Sequence, residues 1–360
     1  MRSPQTLEAM TLLQRLIATP STSRDEAAAA DVLAAFLTER NIGFERHLNN
    51  IWCTETEYDT NRPTLLLNAH IDTVRPVAGW QHAPFTPVSE GERLYGLGSN
   101  DDGGSLVSLL QAFRVLSARK QTYNLIFAAT AEEEVSGPNG IASILPLLPR
   151  IDVGLVGEPT GMQPAIAEKG LMVLDITAHG KAGHAAREEG INAIYRAMEA
   201  IRWIRDYRFE QTSTLLGPVK MSTTVIQAGT QHNVVPDTCT FTVDVRSNEC
   251  YSNQEIFNKV CEGLQTLYPE EKVFEVKARS FRLNSSSISR EHPLVAKAIA
   301  LGKEPFGSPT LSDQSLMPFP TMKMGPGQSS RSHTADEFIE TTEVDEAIST
   351  YVNLLDGLHL

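Results

Sequence analysis

Five short stretches of this chain end in residue types that hold divalent metal ions. His70 and Asp72 close the apolar run Thr64 to Ile71. Asp101 and Asp102 lie in the glycine-rich segment Gly96-Leu97-Gly98-Ser99-Asn100-Asp101-Asp102-Gly103-Gly104. Glu132, Glu133 and Glu134 follow the apolar run Phe127 to Ala131, Glu158 follows Val153 to Gly157, and His333 follows Met324-Gly325-Pro326-Gly327. Two imidazoles and several carboxylates, without a cysteine, suit zinc, cobalt or manganese, and the imidazoles favour zinc. A carboxylate placed beside a histidine can fix its tautomer and aim the other ring nitrogen at a metal. Each stretch also has a plainer reading. His70 can simply end a strand, three acids in a row are usually a solvated charge run, Glu158 can belong to a turn, and His333 can be a surface residue. The glycine-rich loop is a poor phosphate cradle, because it is not G-x-G-x-x-G and its paired aspartates repel phosphate.

The elements that must position these residues follow from periodicity. Thr64 to Ile71, Asn124 to Thr130 and Val153 to Val156 are unbroken apolar runs, which read as strands buried on both faces; Ile51 to Thr54 is also strand-like. Leu7 to Ala18, Ala27 to Leu37 and Leu106 to Leu116 carry helical spacing, and Ser23 with Glu26 fits a capping box before the second of them. Strands alternating with helices predict an α/β domain: a mostly parallel sheet with helices on both faces. Ligands of such sheets bind beyond the carboxyl ends of the strands, where His70, Glu132 to Glu134 and Glu158 stand. After Lys169 the pattern changes. Strand-like Leu171 to Ala178, helical Ile191 to Tyr207, strand-like Lys220 to Ala228 and Thr238 to Val245, helical Gln254 to Leu267 and strand-like Lys272 to Ala278 follow. That order, βαββαβ, predicts an α+β domain with two helices on one face of a small sheet. Residues 169–280 therefore read as an insertion into a domain made of 1–168 and 281–360, which resumes with a helix (His292 to Leu301), a strand near Thr321 to Met324 and a last helix from Glu343 to Leu355.

At 360 residues the chain has room for two domains of ordinary size. Its net charge of −13, from 44 acidic and 31 basic residues, argues against nucleic acid or an anionic membrane as main partner. The amino terminus lacks the build of a signal peptide, and no apolar run is long enough to span a bilayer. Cys53, Cys239, Cys250 and Cys261 form no C-x-x-C pair, so they read as free thiols of a cytoplasmic protein.

The motifs together resemble a known family, the co-catalytic zinc aminoacylases and exopeptidases that include acetylornithine deacetylase and succinyl-diaminopimelate desuccinylase. The matching residues are His70-Ile71-Asp72, Trp80 with Pro84-Phe85, Tyr95-Gly96-Leu97-Gly98 leading to Asp101, Glu133-Glu134, Gly157-Glu158-Pro159-Thr160, and His333 after Gly325-Pro326-Gly327. They span nearly the whole chain in the family's order. The resemblance implies a zinc-peptidase-like catalytic domain with an inserted lid and dimerisation domain. It implies two divalent metal ions, zinc with cobalt as a substitute. Asp101 would bridge them, His70 and Glu158 would complete one site, and Glu134 and His333 the other. Asp72 would orient His70, and Glu133 would be the general base. That division is chemically sound, since a free carboxylate beside two cations can shuttle a proton to the leaving amine.

In the insertion, Gly180-Lys181-Ala182-Gly183-His184 resembles a segment in which His184 would reach the partner subunit's active site and help hold the oxyanion. Asn233-Val234-Val235-Pro236 and Asp244-Val245-Arg246 match the family's lid motif, so Asn233 and Arg246 would contact substrate, Arg246 through its planar fork. Plainer readings are a surface histidine, a turn asparagine and an ordinary ion pair. The sequence departs from the family at Gly103, where a lysine is common, at the extra acid Asp102, and in the loop Leu311-Ser312-Asp313-Gln314-Ser315. Arg331, two residues before His333, is expected to contact an anionic end of the substrate. The resemblance is strongest to the acetylornithine deacetylase branch. It implies hydrolysis of an N-acyl amino acid, N2-acetyl-L-ornithine to ornithine and acetate in arginine biosynthesis, by a homodimer joined through the lid. N-acetylcitrulline or N-succinyl substrates, and a di- or tripeptide exopeptidase on the same scaffold, are the alternatives.

Overall fold

Asn50–Thr54 (β1), Thr64–His70 (β2), Asn124–Thr130 (β3) and Val153–Val156 (β4) are adjacent strands in the computed structural model, which describes residues 2–187 and 189–360. β2 lies between β3 and β4 and is parallel to both, with His70 beside Thr130 and Asn68 beside Val156. Thr321–Lys323 adds a further parallel strand against β4, while β1 runs antiparallel to β3. Every residue of β2 and β3 is buried, which explains their unbroken apolar runs: a strand covered on both faces needs no polar alternation.

Two layers cover this sheet. On one face, Leu65, Leu67, Leu125 and Phe127 share a core with the helices Pro4–Ile17 (α1), Ala27–Glu39 (α2), Gly104–Ser117 (α3) and Thr341–Leu355. On the other, Leu66, Ile126 and Ala128 pack under the short helix Ile141–Ile144 and Met317. Each fully buried leucine of these layers contributes ~1.5–3 kcal/mol relative to exposure. The sheet is thus mostly parallel with helices on both faces.

The chain forms two compact units, one of Met1–Ile166, Ser287–Phe306 and Ser312–Leu360, the other of Ala167–Ser286 with Gly307–Leu311. The second is longer than the 169–280 read from the pattern. The reason is local: the polar segment after Ser280 bonds back onto this unit, Leu171 N donating to Leu283 O at 2.9 Å and Ser285 Oγ to Glu168 O at 2.6 Å. Its sheet is antiparallel in the order Lys220–Ala228 (β6), Thr238–Ser247 (β7), Gly170–His179 (β5), Phe274–Ala278 (β8). β5 and β7 alternate between buried and partly exposed residues, because only one face is covered. Met172, Leu174, Ile176, Val243 and Val245 meet the helices Ala193–Asp206 (α4) and Asn253–Gln265 (α5) there. α4 and α5 approach closely at Gly263, where a Cβ would stand 1.8 Å from the Trp203 ring. A capping box of Ser252 and Glu255 starts α5.

One local expectation fails. Ser23 and Glu26 form no capping box, and the helix starts at Glu26 without a side-chain cap. Both side chains are engaged elsewhere, as the next section shows. No helix among the described residues is long and apolar enough to cross a membrane.

Candidate metal centre

β2 delivers His70 to the carboxyl end of the sheet, buried to 3% exposure. Its Nδ1–H donates to the main-chain oxygen of Asp72 at 2.9 Å, with the Asp72 carboxylate 3.5 Å away. That bond fixes a proton on Nδ1 and turns Nε2 toward Asp101, the nitrogen that would serve a metal once its proton is displaced. The aiming of His70 is therefore done first by the backbone carbonyl of Asp72. The carboxylate of Asp72 has further work: it accepts Ser23 Oγ–H at 2.7 Å, Glu133 N–H at 3.0 Å and Glu134 N–H at 3.2 Å. Ser23 thus serves the site instead of a helix end. Nothing in its sequence neighbourhood distinguishes this role from the cap it resembles, since the bond spans 49 residues.

The three glutamates separate because Glu132 has a left-handed backbone, φ 56°. Glu132 is 5% exposed and its carboxylate accepts Asn139 N–H at 3.1 Å and Asn139 Nδ2–H at 2.8 Å, so it holds a loop. Its own N–H donates at 3.3 Å to the buried Glu26, which also accepts Asn49 Nδ2–H at 2.9 Å. Glu133 points to His70 and Glu158; one oxygen of each carboxylate and one His70 nitrogen lie within 4.8 Å of one another. Glu134 points to His333, Nε2 to Oε2 at 3.0 Å. His333 also has a left-handed backbone, φ 59°.

Asp101 stands between the two imidazoles. Its Oδ1 is 3.1 Å from His70 Nε2 and its Oδ2 is 3.6 Å from His333 Nε2. One oxygen toward each histidine is the arrangement a bridging carboxylate needs. His70, Asp101 and Glu134 also present ligand atoms within 4.8 Å of one another. The donor set of imidazole and carboxylate fits divalent zinc, cobalt or manganese.

The electrostatics fit too. Burial, reinforced by Glu158, Asp313 and Glu134, holds the Glu133 carboxyl well above the usual range. Burial and Asp101 do the same to Glu158, against the opposing pull of Lys323. Burial alone would lower His70, but its bonds to Asp101 and Asp72 hold it well above normal. The Glu134 bond raises His333 to about 9. Crowded buried carboxylates that repel one another favour bound cations.

The departures from the family have a physical shape. A Cβ on Gly103 would stand 2.4 Å from Gly98 O and 2.5 Å from Leu13 Cδ1, so this backbone has no room for a lysine there. Asp102 is 1% exposed, and neither carboxylate oxygen has a hydrogen-bond partner among the described residues. Asp313 is not an open substrate contact. It is buried, accepts Thr130 Oγ1–H at 2.7 Å and Asn68 Nδ2–H at 2.9 Å, and forms part of the floor beneath His70.

Arg331 has a partner within its own chain. Its Nη1–H donates to Glu343 at 2.7 Å and its guanidinium lies over the Phe338 ring, 4.4 Å from the centroid, so it ties its own loop to the last helix. In the second unit, His184 is exposed and its Nδ1 accepts Ala186 N–H at 3.1 Å, which leaves the proton on Nε2. Gly183–His184 pairs with Val234–Val235, and Ala185 N–H donates to Asn233 O at 3.0 Å, so His184 and Asn233 share one small ribbon. Arg246 makes a two-bond pair with Asp244, at 2.9 and 3.2 Å. Lys220 stands opposite it on β6.

The model for the peptidase family M20/M25/M40 matches residues 66–357. The chain is similar to the acetylornithine deacetylase of Proteus mirabilis, 28% identical, over 97% of this chain and 96% of the relative. It is also similar to the acetylornithine deacetylase of Photorhabdus laumondii, 28% identical over 96% of each. In fold it is similar to the aminopeptidase PepT of Bacillus cereus, TM-score 0.78, 19% identical, over 98% of both chains. A dinuclear metal-binding M20 peptidase of Bacillus subtilis gives a TM-score of 0.75 at 17% identity, over 98% of this chain and 99% of that one.

Proposed function

Because this chain belongs to peptidase family M20/M25/M40, we propose that the metal-dependent amidohydrolase it constitutes removes the acyl group from an N-acyl amino acid, N2-acetyl-L-ornithine first among them. The observation that carries the chemistry is Asp101 set between His70 and His333, with Glu133 beside them. Two divalent cations, zinc by the donor set, would be held by His70, Asp101 and Glu158 and by Asp101, Glu134 and His333; when bound they polarise the scissile carbonyl and acidify water. Glu133 takes a proton from the attacking water as the new C–O bond forms. It then delivers that proton to the nitrogen as the C–N bond breaks, so acetate and the free amine leave. Burial among other carboxylates holds its carboxyl above the usual range in the metal-free protein, and a general base of this kind must both take and give a proton. Asp72 keeps Glu133 and Glu134 in register through their two N–H groups.

The substrate reading is supported by two acetylornithine deacetylase relatives that align over nearly their whole length, and would place the enzyme in arginine biosynthesis. For a carboxylate end the candidates are Arg246, which would exchange its Asp244 pair for the substrate, and its cross-strand neighbour Lys220. The test is a panel of N-acetyl and N-succinyl forms of ornithine, citrulline, lysine and diaminopimelate, with di- and tripeptides, assayed for released amine with zinc or cobalt. N2-acetyl-L-ornithine is expected to give the highest kcat/KM. A higher value for a dipeptide would move the chain to the exopeptidase reading, for which the fold of the peptidase neighbours is equally suited.

His184 is exposed with its Nε2–H free to donate, as an oxyanion-binding group supplied to a second copy must be. A homodimer through the second unit has a surface to use. β6 is an edge strand, with Val225 at 48% and Ile226 at 52% exposure, and Tyr195 and Met198 on α4 are 68% and 58% exposed. An edge strand pairs with its own copy antiparallel, closing the interface by two-fold symmetry. Ile226→Lys with Tyr195→Glu is expected to convert a dimer to a monomer by light scattering and to lower kcat through the loss of His184. A wild-type monomer would remove the dimer. The four cysteines are free thiols, which supports a reducing compartment such as the cytoplasm.

A further inference from the structure

Glu337 is 2% exposed and lies four residues beyond His333. Its carboxylate accepts three main-chain donors of the Asp101 loop: Gly98 N–H at 3.1 Å on Oε2, and Asn100 N–H at 2.8 Å and Asp101 N–H at 2.9 Å on Oε1. The Glu337 main-chain oxygen accepts Gly96 N–H at 3.0 Å. The loop reciprocates. Asn100 Nδ2–H donates to Gln328 O at 3.1 Å and to Ser332 Oγ at 3.2 Å, and Asn100 Oδ1 accepts Gln328 N–H at 2.9 Å. Two side chains thus stitch the segment that carries His333 to the segment that carries Asp101, one from each side.

The two halves of the centre are anchored differently. His70 and Glu158 leave adjacent strands of the sheet, and their spacing is set by the β2–β4 ladder. His333 leaves a loop, in a left-handed backbone that a non-glycine residue adopts only when its surroundings impose it. Its 3.6 Å approach to Asp101 Oδ2 depends on how that loop sits against residues 98–101. We propose that Glu337 is a positioning residue that acts chiefly on one metal position: by clamping the Asp101 loop to the His333 loop, it sets the affinity of the Asp101–Glu134–His333 position, while the His70–Asp101–Glu158 position, two of whose three ligands leave the sheet, is affected much less. The proposal rests on the two-metal reading above. Two accepting oxygens are needed, since Oε2 takes Gly98 N–H while Oε1 takes the other two, and an amide offers only one.

The test is calorimetric titration of metal-free protein with Zn²⁺ and, separately, Co²⁺, with the thermal midpoint of the metal-free form measured alongside. Wild type is expected to bind two ions. Glu337→Gln turns one acceptor into a donor facing a donor, and is expected to weaken one of the two ions at least about tenfold and the other less than threefold. In a His333→Ala background, which lacks that position, Glu337→Gln is expected to change the remaining affinity less than threefold. Asn100→Asp, which keeps the acceptor for Gln328 N–H and loses both donors, is expected to weaken the same ion, and decides the matter where Glu337→Gln does not fold. Equal weakening of both ions, or two unchanged affinities, overturns the proposal. Fewer than two ions on the wild type overturns the two-metal reading and the division of labour with it.

Discussion

Glu133→Gln is expected to lower kcat/KM on N2-acetyl-L-ornithine by about 10²–10⁴-fold, with the bound metal retained. Glutamine has nearly the shape of glutamate but neither accepts the water proton nor returns it to the leaving nitrogen. The fold around it should survive, because what the structure fixes at Glu133 is its main chain: its N–H donates to Asp72 at 3.0 Å. The buried carboxylates near Glu133 raise its proton affinity, so removing this charge should relax the metal-free centre. The measurement pairs steady-state hydrolysis with metal content of the same sample. Turnover within tenfold of wild type, with metal present, would show that the proton is carried by another group.

Stripping the metal with a chelator is expected to abolish turnover, and rebinding should depend steeply on pH. The sign follows from His333. In the metal-free protein its bond to Glu134 raises it to about 9, so at neutral pH the imidazole holds a proton that a metal must displace. A protonated imidazole is no ligand. Below about pH 9 the affinity of that position should therefore fall about tenfold for each unit of pH lost per proton displaced. Metal binding also stabilises the fold by about 2.7 kcal/mol at a free concentration a hundred times the dissociation constant. The thermal midpoint should fall on stripping and recover on readdition. An affinity that does not change between about pH 6 and pH 8 would remove His333 from the ligand set.

What was legible in the sequence was whatever a local pattern encodes. β2, β3 and β4 showed as apolar runs because a doubly covered strand has no polar positions, and the βαββαβ order of the second unit showed because one covered face imposes alternation. His70, Glu132 to Glu134 and Glu158 were legible because each stands where such a run ends, while Asp101 and His333 lie in loops and were legible only through the motifs around them. What was not legible is carried by bonds between distant segments. Ser23 reads as a helix cap until Asp72 is seen beside it. Glu337 reads as one more acid after Asp336 until the three N–H groups of the Asp101 loop are found on its carboxylate. Arg331 is near His333 in sequence, and that proximity suggested a substrate contact. The last helix also brings Glu343 to it, and no periodicity reveals that an arginine already has a partner.

The left-handed turn at Glu132 has a consequence for how this site tolerates change. Glu132, Glu133 and Glu134 are chemically one letter repeated, and only their order along the chain assigns one to hold a loop, one to move a proton and one to face His333. Deleting any of the three yields the same chain, Ala131 followed by two glutamates and Val135. The survivors inherit the first two addresses, and a valine arrives opposite His333 whichever codon was lost. The site is thus blind to which glutamate is removed and acutely sensitive to how many remain, and the loss of one bound ion from such a deletion would register it.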